Sequence, residues 1–319
     1  MNYKLRLLFF FFSFISFNAF SQLKYSNEFL QIGAGARSLS LSRSVVASSA
    51  DPSSIYWNPA SLVYVSKREF EIMHASYFAG IANFDQISYV QRSNKQDAVG
   101  LMILRFGVDD IMNTSELIDN QGNLDYNRID LFSTADYAFF FSYAKKDAFK
   151  GFNLGGNLKI IYRHIGDFAH SWGFGFDLSA QKEIDNWKIG VISRDATSTF
   201  NSWIFNMQEF EEVYLQTGNE LPENSSEITL PSLQAGIARF FSINNNLSAH
   251  IEIDLDVHID GQRNTLYSND IISLNPHFGS EIVFKEIIDF RFGVGGIRKE
   301  IDFNEKKYIS AIPNIGLGI

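Results

Sequence analysis

Five ionisable side chains recur at every second position around residue 254, namely His250, Glu252, Asp254, Asp256 and His258. Because side chains alternate between the faces of a β-strand, this spacing places all five on one face of a single strand. Imidazole and carboxylate groups can bind a divalent cation. Ligands on one strand are about 7 Å apart, however, and cannot converge on one ion by themselves. The alternative, which we prefer, is a polar inner wall whose acids pair with basic side chains of other strands, namely Lys159, Arg163 or Arg291.

The rest of the sequence carries no motif of established catalytic chemistry. It has no His-Glu-x-x-His, Gly-x-Ser-x-Gly, P-loop or dinucleotide-binding sequence. It also has no cysteine, which excludes disulfides, thiolate metal sites and a Cys nucleophile. The formal net charge of −9 is unfavourable for nucleic-acid binding, which needs a basic surface. We therefore expect no catalytic residue, no cofactor, no metal and no nucleic-acid partner.

Residues 1–21 have the pattern of a secretory signal peptide. Lys4 and Arg6 form a basic start, an apolar run follows from Leu7 to Phe17, and Ala19 and Ser21 supply small residues before a cleavage site. A membrane anchor helix is the alternative, but the apolar run is shorter than the roughly 20 residues that span a bilayer. The pattern predicts an exported protein that begins at Gln22.

Most of the remaining sequence alternates between apolar and polar residues. The pattern runs through Trp172–Ala180, Leu247–Val257 and Ile288–Val294, and it predicts β-strands with two different faces. Several segments have the length of a tilted transmembrane strand, about 9–11 residues, and 15% of all residues are aromatic. We predict an all-β, antiparallel transmembrane β-barrel, with a soluble secreted β-sandwich or solenoid as the alternative. Twelve strands are placed, starting near Glu69, Ala82, Asp97, Ala135, Lys150, Trp172, Asn186, Glu227, Leu247, Asn275, Ile287 and Tyr308.

Three stretches lack this alternation. Residues 22–68 are small, polar and rich in Gly, Ser and Ala, and they form either a surface arm or a segment folded into the lumen. Within the barrel region, residues 69–319, long loops are predicted at 108–134 and 196–230. Apolar residues between Phe205 and Leu215 recur at helical spacing, which predicts a short amphipathic helix on the second loop, with an irregular loop as the alternative.

Two N-terminal blocks resemble the PorV/PorQ family of outer-membrane barrels from Bacteroidetes-type bacteria, which are related to the FadL fatty-acid transporters. The first block runs from Phe29 to Leu39 and reads FLQIGAGARSL, and the second runs from Asp51 to Leu62 and reads DPSSIYWNPASL. Residues 195–203 and 227–231 are similar to further family signatures.

The resemblance implies a FadL-like barrel of about 14 strands with an N-terminal hatch inside it. The hatch motif would comprise Gly33, Gly35, Arg37, Trp57, Asn58, Pro59 and Ala60. It further implies an outer-membrane component of the type IX secretion system, which binds secreted cargo or partner proteins and hands them to the cell surface. The partners would be outer-membrane lipid, type IX components, and cargo C-terminal domains or a surface adhesin. The alternative is a FadL-like transporter of hydrophobic small molecules. A barrel enzyme such as a phospholipase is disfavoured by the missing nucleophile motif.

The loop 196–230 is the predicted docking surface for a protein partner. Long loops on a rigid scaffold often carry function, and exposed aromatic side chains are frequent interface anchors. The candidate partner-binding residues are Trp203, Phe205, Phe210 and Tyr214. The alternative is that these aromatic residues pack onto the barrel rim as a lid.

Overall fold

The computed structural model describes residues 26–114, 116–118, 121–206 and 223–319. The predicted signal peptide, residues 1–21, lies outside these ranges. Within them, no helix combines the length and the apolar character needed to cross a membrane.

The described residues contain fifteen β-strands and a few short helical segments. The strands are β1 (Arg68–Tyr77), β2 (Ala82–Arg92), β3 (Asp97–Asn113), β4 (Asp130–Phe149), β5 (Phe152–Ile165), β6 (Ala169–Ile184), β7 (Trp187–Arg194), β8 (Thr199–Phe205), β9 (Ser225–Thr229), β10 (Ser232–Asn244), β11 (Leu247–His258), β12 (Tyr267–Ser268), β13 (Ser273–Phe284), β14 (Ile288–Ile301) and β15 (Lys307–Gly318). The helices are α1 (Ala36–Ser40), α2 (Ser54–Trp57) and the 3-10 helices Glu28–Ile32, Pro59–Tyr64, Phe78–Gly80 and Tyr126–Arg128.

The strands form one antiparallel sheet, which confirms the predicted fold class. Its continuous path is β1-β2-β3-β4-β5-β6-β7-β10-β11-β13-β14-β15. Eleven of the twelve predicted starts lie within five residues of the start of a strand on this path, and the twelfth, near Glu227, falls within β9, which precedes β10. Three further strands lie off the path: β8 pairs with β6 and β9, and β12 pairs with β13. The described residues therefore contain twelve strands on the continuous path and fifteen strands in total, whereas the family resemblance implies about 14.

The two edge strands, β1 and β15, lie on either side of α1. A side chain added at Gly35, next to α1, would lie 3.4 Å from Glu71 Oε1 of β1, and one added at Gly316 of β15 would lie 2.7 Å from Ser40 Oγ. No ladder joins β1 to β15 in the described part of the chain. The sheet therefore curves around the N-terminal segment until its two edges meet the same helix.

The outward face of β1 to β6 carries a row of directly opposed apolar side chains. The row runs across the six strands as Ile72, Ile87, Ile103, Phe139, Ile160 and Phe174. Its end members are 67% and 61% exposed. A continuous exposed apolar surface of this extent is unfavourable in water. It is the lipid-facing side of a membrane-spanning sheet.

The adjacent row marks one boundary of this apolar band. It consists of His74, Asp85, Arg105, Tyr137, Tyr162 and Trp172, again opposed strand to strand. His74 Nδ1 lies 2.6 Å from Asp85 Oδ1, and Arg105 Nε donates to the Tyr137 hydroxyl at 3.3 Å. The Tyr162 and Trp172 ring centroids are 4.6 Å apart. Polar and aromatic side chains concentrate at the interfaces of transmembrane barrels.

The connections differ strongly between the two ends of the sheet. At one end the turns are short, at residues 93–96, 150–151, 185–186, 245–246 and 285–287. At the other end, next to the polar row, the long connections 114–129, 195–231 and 259–272 are found. We call these the short-turn end and the long-loop end.

Both predicted long loops are shorter than the sequence indicated. Strand β3 continues to Asn113 and β4 begins at Asp130, so the first loop is 114–129 and not 108–134. The stretch 196–230 contains β8 and β9. The segment from Asp130 was missed because its polar and apolar residues do not alternate cleanly. Of the predicted helix from Phe205 to Leu215, Phe205 ends β8, and residues 207–215 lie outside the described residues.

Candidate functional site: the plugged lumen

Residues 26–65, which we call the plug, lie on the inner side of the curved sheet. Most of their side chains are buried, including the large Trp57, Ile55 and Leu62 and many serines. Small residues suit this position because the lumen leaves little room between the plug and the strands. The apolar part of the plug packs against inward side chains of β2 to β5, such as Phe84 and Phe140.

The first part of the hatch motif wraps around Trp57. The Trp57 indole donates to the Ala34 carbonyl at 2.6 Å. Gly33 and Gly35, on either side, have φ values of 95° and 82°. A side chain added at Gly33 would lie 2.7 Å from Trp57 Cζ2. Both the left-handed backbone and the lack of space require glycine at Gly33.

The second part of the motif fixes a turn against the wall. Asn58 donates from Nδ2 to the Val46 carbonyl at 2.7 Å and accepts from the Ala60 amide at 3.2 Å. Pro59 begins the 3-10 helix that follows, where its missing N–H has no cost. A side chain at Gly155 of β5 would lie 2.7 Å from Ala60 Cα. The wall thus has no side chain where the plug backbone approaches.

The acidic face of β11 binds the plug through the plug's backbone. Asp254 Oδ2 accepts from the amides of Val45 and Val46 at 2.9 and 3.0 Å. Glu252 Oε1 accepts from the Ala47 amide at 2.6 Å. Both carboxylates are completely buried. Buried backbone amides need an acceptor, and these two acids supply one to each of the three amides of residues 45–47, which holds this part of the plug in place.

The other three members of the row have separate partners. Asp256 Oδ2 lies 2.9 Å from His277 Nε2, and His250 Nδ1 lies 3.2 Å from Glu281 Oε2. His258 lines a cavity described below. The five side chains are therefore inward and share one face, as their spacing predicts, but they diverge to different partners.

The predicted pairing of the β11 acids with Lys159, Arg163 or Arg291 is wrong. Lys159 Nζ lies 3.1 Å from Asp177 and 2.5 Å from Asp195, Arg163 pairs with Asp136 and Glu227, and Arg291 pairs with Glu281 and Asp289. Each base finds a carboxylate closer to its own strand than β11. Of the β11 acids, Glu252 and Asp254 accept from plug amides and Asp256 interacts with His277.

Glu281 is a residue that sequence reasoning missed. Arg37 of the hatch motif lies 2.9 Å from it, and Arg291 and His250 reach the same carboxylate. Burial alone would lower the pKa of Arg37, but the Glu281 charge and hydrogen bond raise it above its usual value. His250, Glu281 and Arg291 are directly opposed on three adjacent strands. Their proximity can be predicted only once the order of the strands is known, and the alternating pattern does not give that order.

Two adjoining cavities lie between the plug and the wall toward the long-loop end. The outer cavity, about 600 Å³ including its open mouth, is lined by residues that include Asn27, Glu28, Lys159, Arg194, Asp260 and Arg263. The inner cavity, about 310 Å³ on the same measure, shares Gln31, Tyr56, Arg194, Ser232 and His258 with it. The cavities therefore form one polar seam along β7, β10 and β11.

The start of the plug closes over the outer cavity through polar contacts. Asn27 Nδ2 donates to Thr229 Oγ1 at 2.7 Å, and Arg263 Nη2 lies 3.0 Å from Glu28 Oε1 and 2.5 Å from Asp260 Oδ2. Burial would raise the pKa of Asp260, but the hydrogen bond and charge of Arg263 lower it below its usual value. These contacts tie the plug to β9 and to the loop after β11.

Of the four candidate docking residues, the structure describes two. Trp203 is 7% exposed and lies on the inward face of β8, with the Arg163 guanidinium 5.0 Å from its ring. It is therefore not the exposed anchor that the sequence suggested. Phe205 is half-buried at the end of β8. Phe210 and Tyr214 lie outside the described residues.

Comparisons with known proteins show similarity to one protein family and to several solved structures. The model of an uncharacterised protein family, UPF0164, matches residues 16–185. No curated protein matches the chain. Among solved structures, the Ralstonia pickettii toluene transporter TbuX is similar, with 13% identity, 89% of each chain covered and a TM-score of 0.47. The P. putida toluene transporter TodX has 12% identity, 88% of this chain and 87% of that chain covered, and a TM-score of 0.47. A Pseudomonas aeruginosa FadL homologue has 9% identity, 89% and 96% coverage, and a TM-score of 0.38.

Proposed function

The chain belongs to the uncharacterised protein family UPF0164, and we propose that it is an outer-membrane β-barrel through which small molecules cross, with the plug as its gate. The observation that carries this proposal is the polar seam between the plug and the wall. It begins at the long-loop end, at Asp260 and Arg263, and continues along β10 and β11 past Arg194 to Gln234 and Asp256. If the plug served only to support the barrel, we would not expect connected cavities between the plug and the wall.

The proposed place in the membrane rests on the outer surface. The apolar row from Ile72 to Phe174 is bounded by a polar and aromatic row on its long-loop side. In outer-membrane barrels, short turns face the periplasm and longer loops face outward. The long-loop end would then be extracellular, and the outer cavity would open toward the medium.

The plug is suited to act as a gate because its two halves are held differently. Its later part, from Ile55 to Val65, belongs to the apolar core against β2 to β5. Its start contributes only Phe29 and Leu30 to this core and is otherwise held by hydrogen bonds and an ion pair at the long-loop end. Polar contacts that water can replace cost less to break than a packed apolar core. Movement of the start of the plug would therefore open the seam by withdrawing two apolar side chains from the core, while residues 55–65 stay in place.

Uptake by cells that express the chain tests this proposal. Cells carrying it in an outer membrane are compared with cells carrying an empty vector, using labelled toluene, benzamide and benzoate as apolar, polar and anionic probes. Faster entry of at least one probe is expected. If none enters faster while the protein is folded in the outer membrane, the transport proposal is wrong.

An engineered disulfide that can be formed and reduced supplies the matched control. The chain has no cysteine, so the double variant Asn27→Cys/Thr229→Cys carries the only two thiols, at side chains now in hydrogen-bond contact. Oxidation should reduce uptake to the vector level, and a reductant should restore it. Uptake that is unaffected by a verified cross-link would show that the start of the plug is not the gate.

The type IX secretion role remains the competing proposal, and it is supported by the resemblance of the two N-terminal blocks. It predicts that protein partners accompany the chain from mild detergent and that partner recovery depends on the 195–231 connection. Recovery of secreted proteins or secretion components, without uptake of any probe, would favour this role over transport.

A further inference from the structure

Two guanidinium groups in the inner cavity form no ion pair with a carboxylate of the described residues. Arg43 projects from the plug and Arg194 from the end of β7, and both line this cavity. Within the described residues, neither lies within salt-bridge distance of an acid. Eight other Arg and Lys residues among the described residues form thirteen ion pairs, so pairing is a frequent arrangement here.

Neutral acceptors occupy only part of the hydrogen-bonding capacity of these groups. Arg43 donates from Nη1 to the Gln31 carbonyl at 2.7 Å. Arg194 donates to the Tyr56 carbonyl at 2.9 Å and to Gln234 Oε1 at 3.2 Å. A guanidinium has five N–H donors, so each group keeps donors for a further acceptor.

The surroundings hold Arg194 in a fixed position. Its guanidinium carbon lies 4.1 Å from the centroid of the Tyr56 ring and 5.6 Å from that of Trp57. Stacking on aromatic rings and the two hydrogen bonds fix the plane of the group. A preorganised guanidinium loses little freedom when it binds a planar anion.

The charge balance of the inner cavity is positive. Asp256 is its one carboxylate among the described lining residues, and its Oδ2 already interacts with His277 at 2.9 Å. Two arginines therefore face one carboxylate, which leaves one positive charge in excess among the described Arg and Asp lining residues.

We propose that the inner cavity binds a small organic carboxylate, with Arg43 and Arg194 as its ligands. Carboxylates match the forked geometry of guanidinium, and paired hydrogen bonds to them are among the strongest in proteins. The aromatic faces of Tyr56 and Trp57 beside the two groups would accept a flat apolar body attached to the carboxylate. This inference rests on the proposed transport function and names the class of solute.

Binding of benzoate and of its neutral isostere benzamide to the purified full chain in detergent tests the inference. Isothermal titration should show benzoate binding at least about tenfold more tightly than benzamide, which corresponds to one charge-assisted hydrogen bond. Arg43→Gln and Arg194→Gln should each remove most of this preference. Arg298→Gln, which removes a charge paired with Glu300 at the long-loop end, should not change it.

Folding is monitored by the shift in gel mobility on boiling. If Arg194→Gln does not fold, Arg43→Gln and the charge-retaining Arg194→Lys take its place. Absence of benzoate binding, equal binding of the two probes, or a preference that survives in the folded Arg43→Gln variant would overturn the inference. If the carboxylate site is overturned in this way but cells still take up toluene or benzamide, the transport proposal stands. If cells take up no probe, the transport proposal and the carboxylate site are both wrong.

Discussion

Asp254 on β11 accepts a 3.0 Å hydrogen bond from the backbone amide of Val46, a residue 208 positions earlier in the chain. The same oxygen accepts from Val45, and the neighbouring Glu252 accepts from Ala47. A buried strand of the wall thus holds three successive amides of the plug. The contact explains how an irregular segment stays in place inside a lumen without joining the sheet.

Replacing Asp254 should loosen the plug without removing the barrel. Asp254→Ala leaves the amides of Val45 and Val46 buried without an acceptor, which costs about 1–3 kcal/mol for each group. Limited proteolysis should then cut within residues 26–65 faster than in the wild type, while the barrel still shifts in mobility on boiling. Asp109→Asn, at an exposed ion pair with Arg105, is the control. If the protease cuts the plug at the same rate in both variants, Asp254 does not hold the plug in place.

A charge in the apolar band should destabilise the protein according to its depth in the membrane. Leu101→Arg places a charge between Tyr89 and Phe141, one row further from the polar row than Ile103, and an arginine near the middle of a bilayer costs about 2–4 kcal/mol. Asn83→Arg, on the same outer face beyond the polar row, should have little effect. Guanidinium unfolding in lipid vesicles measures both. Similar losses for the two variants would show that this face does not contact hydrocarbon.

Trp203 should matter for stability more than for partner binding. It is buried on the inward face of β8 against Arg163, and replacing a buried Trp with Ala costs about 3–5 kcal/mol. Trp203→Ala should lower the temperature at which the barrel loses its heat-resistant mobility and leave partner recovery unchanged. Phe200→Ala, on the outward face of the same strand, is the matched control with a smaller expected effect. Partners lost at unchanged stability would instead support docking.

The contacts that tie the start of the plug should weaken in acid. Arg263 lowers the pKa of Asp260 in the folded protein, so the stabilisation is complete above the unfolded pKa, about 4. It is lost as pH falls through the lower folded pKa. Asp260→Asn should therefore have a lower Tm than the wild type at pH 7, and the two Tm values should converge toward pH 3. A constant difference across this range would rule out the ion pair as its cause.

The sequence by itself determined the strands and the orientation of their faces. Strict alternation predicted that His250, Glu252, Asp254, Asp256 and His258 share the inward face of β11, and all five are buried there. Alternation is readable because it depends on the local geometry of one strand. The 195–231 connection shows the limit, because β8 is short and lacks a long alternating pattern, so the sequence predicts a loop there. The strand predicted from Glu227 is divided into β9 and β10.

Only the tertiary structure decided what each inward group contacts. Period two identifies a face, but it does not give the register or the order of strands, so Glu281 could not be seen as the meeting point of Arg37, His250 and Arg291. It also gives no information about a plug that reaches the wall from about 200 residues away. Glu252 and Asp254 of β11 bind backbone amides. Every residue except proline carries such an amide, so the sequence does not indicate which amides these acids will bind.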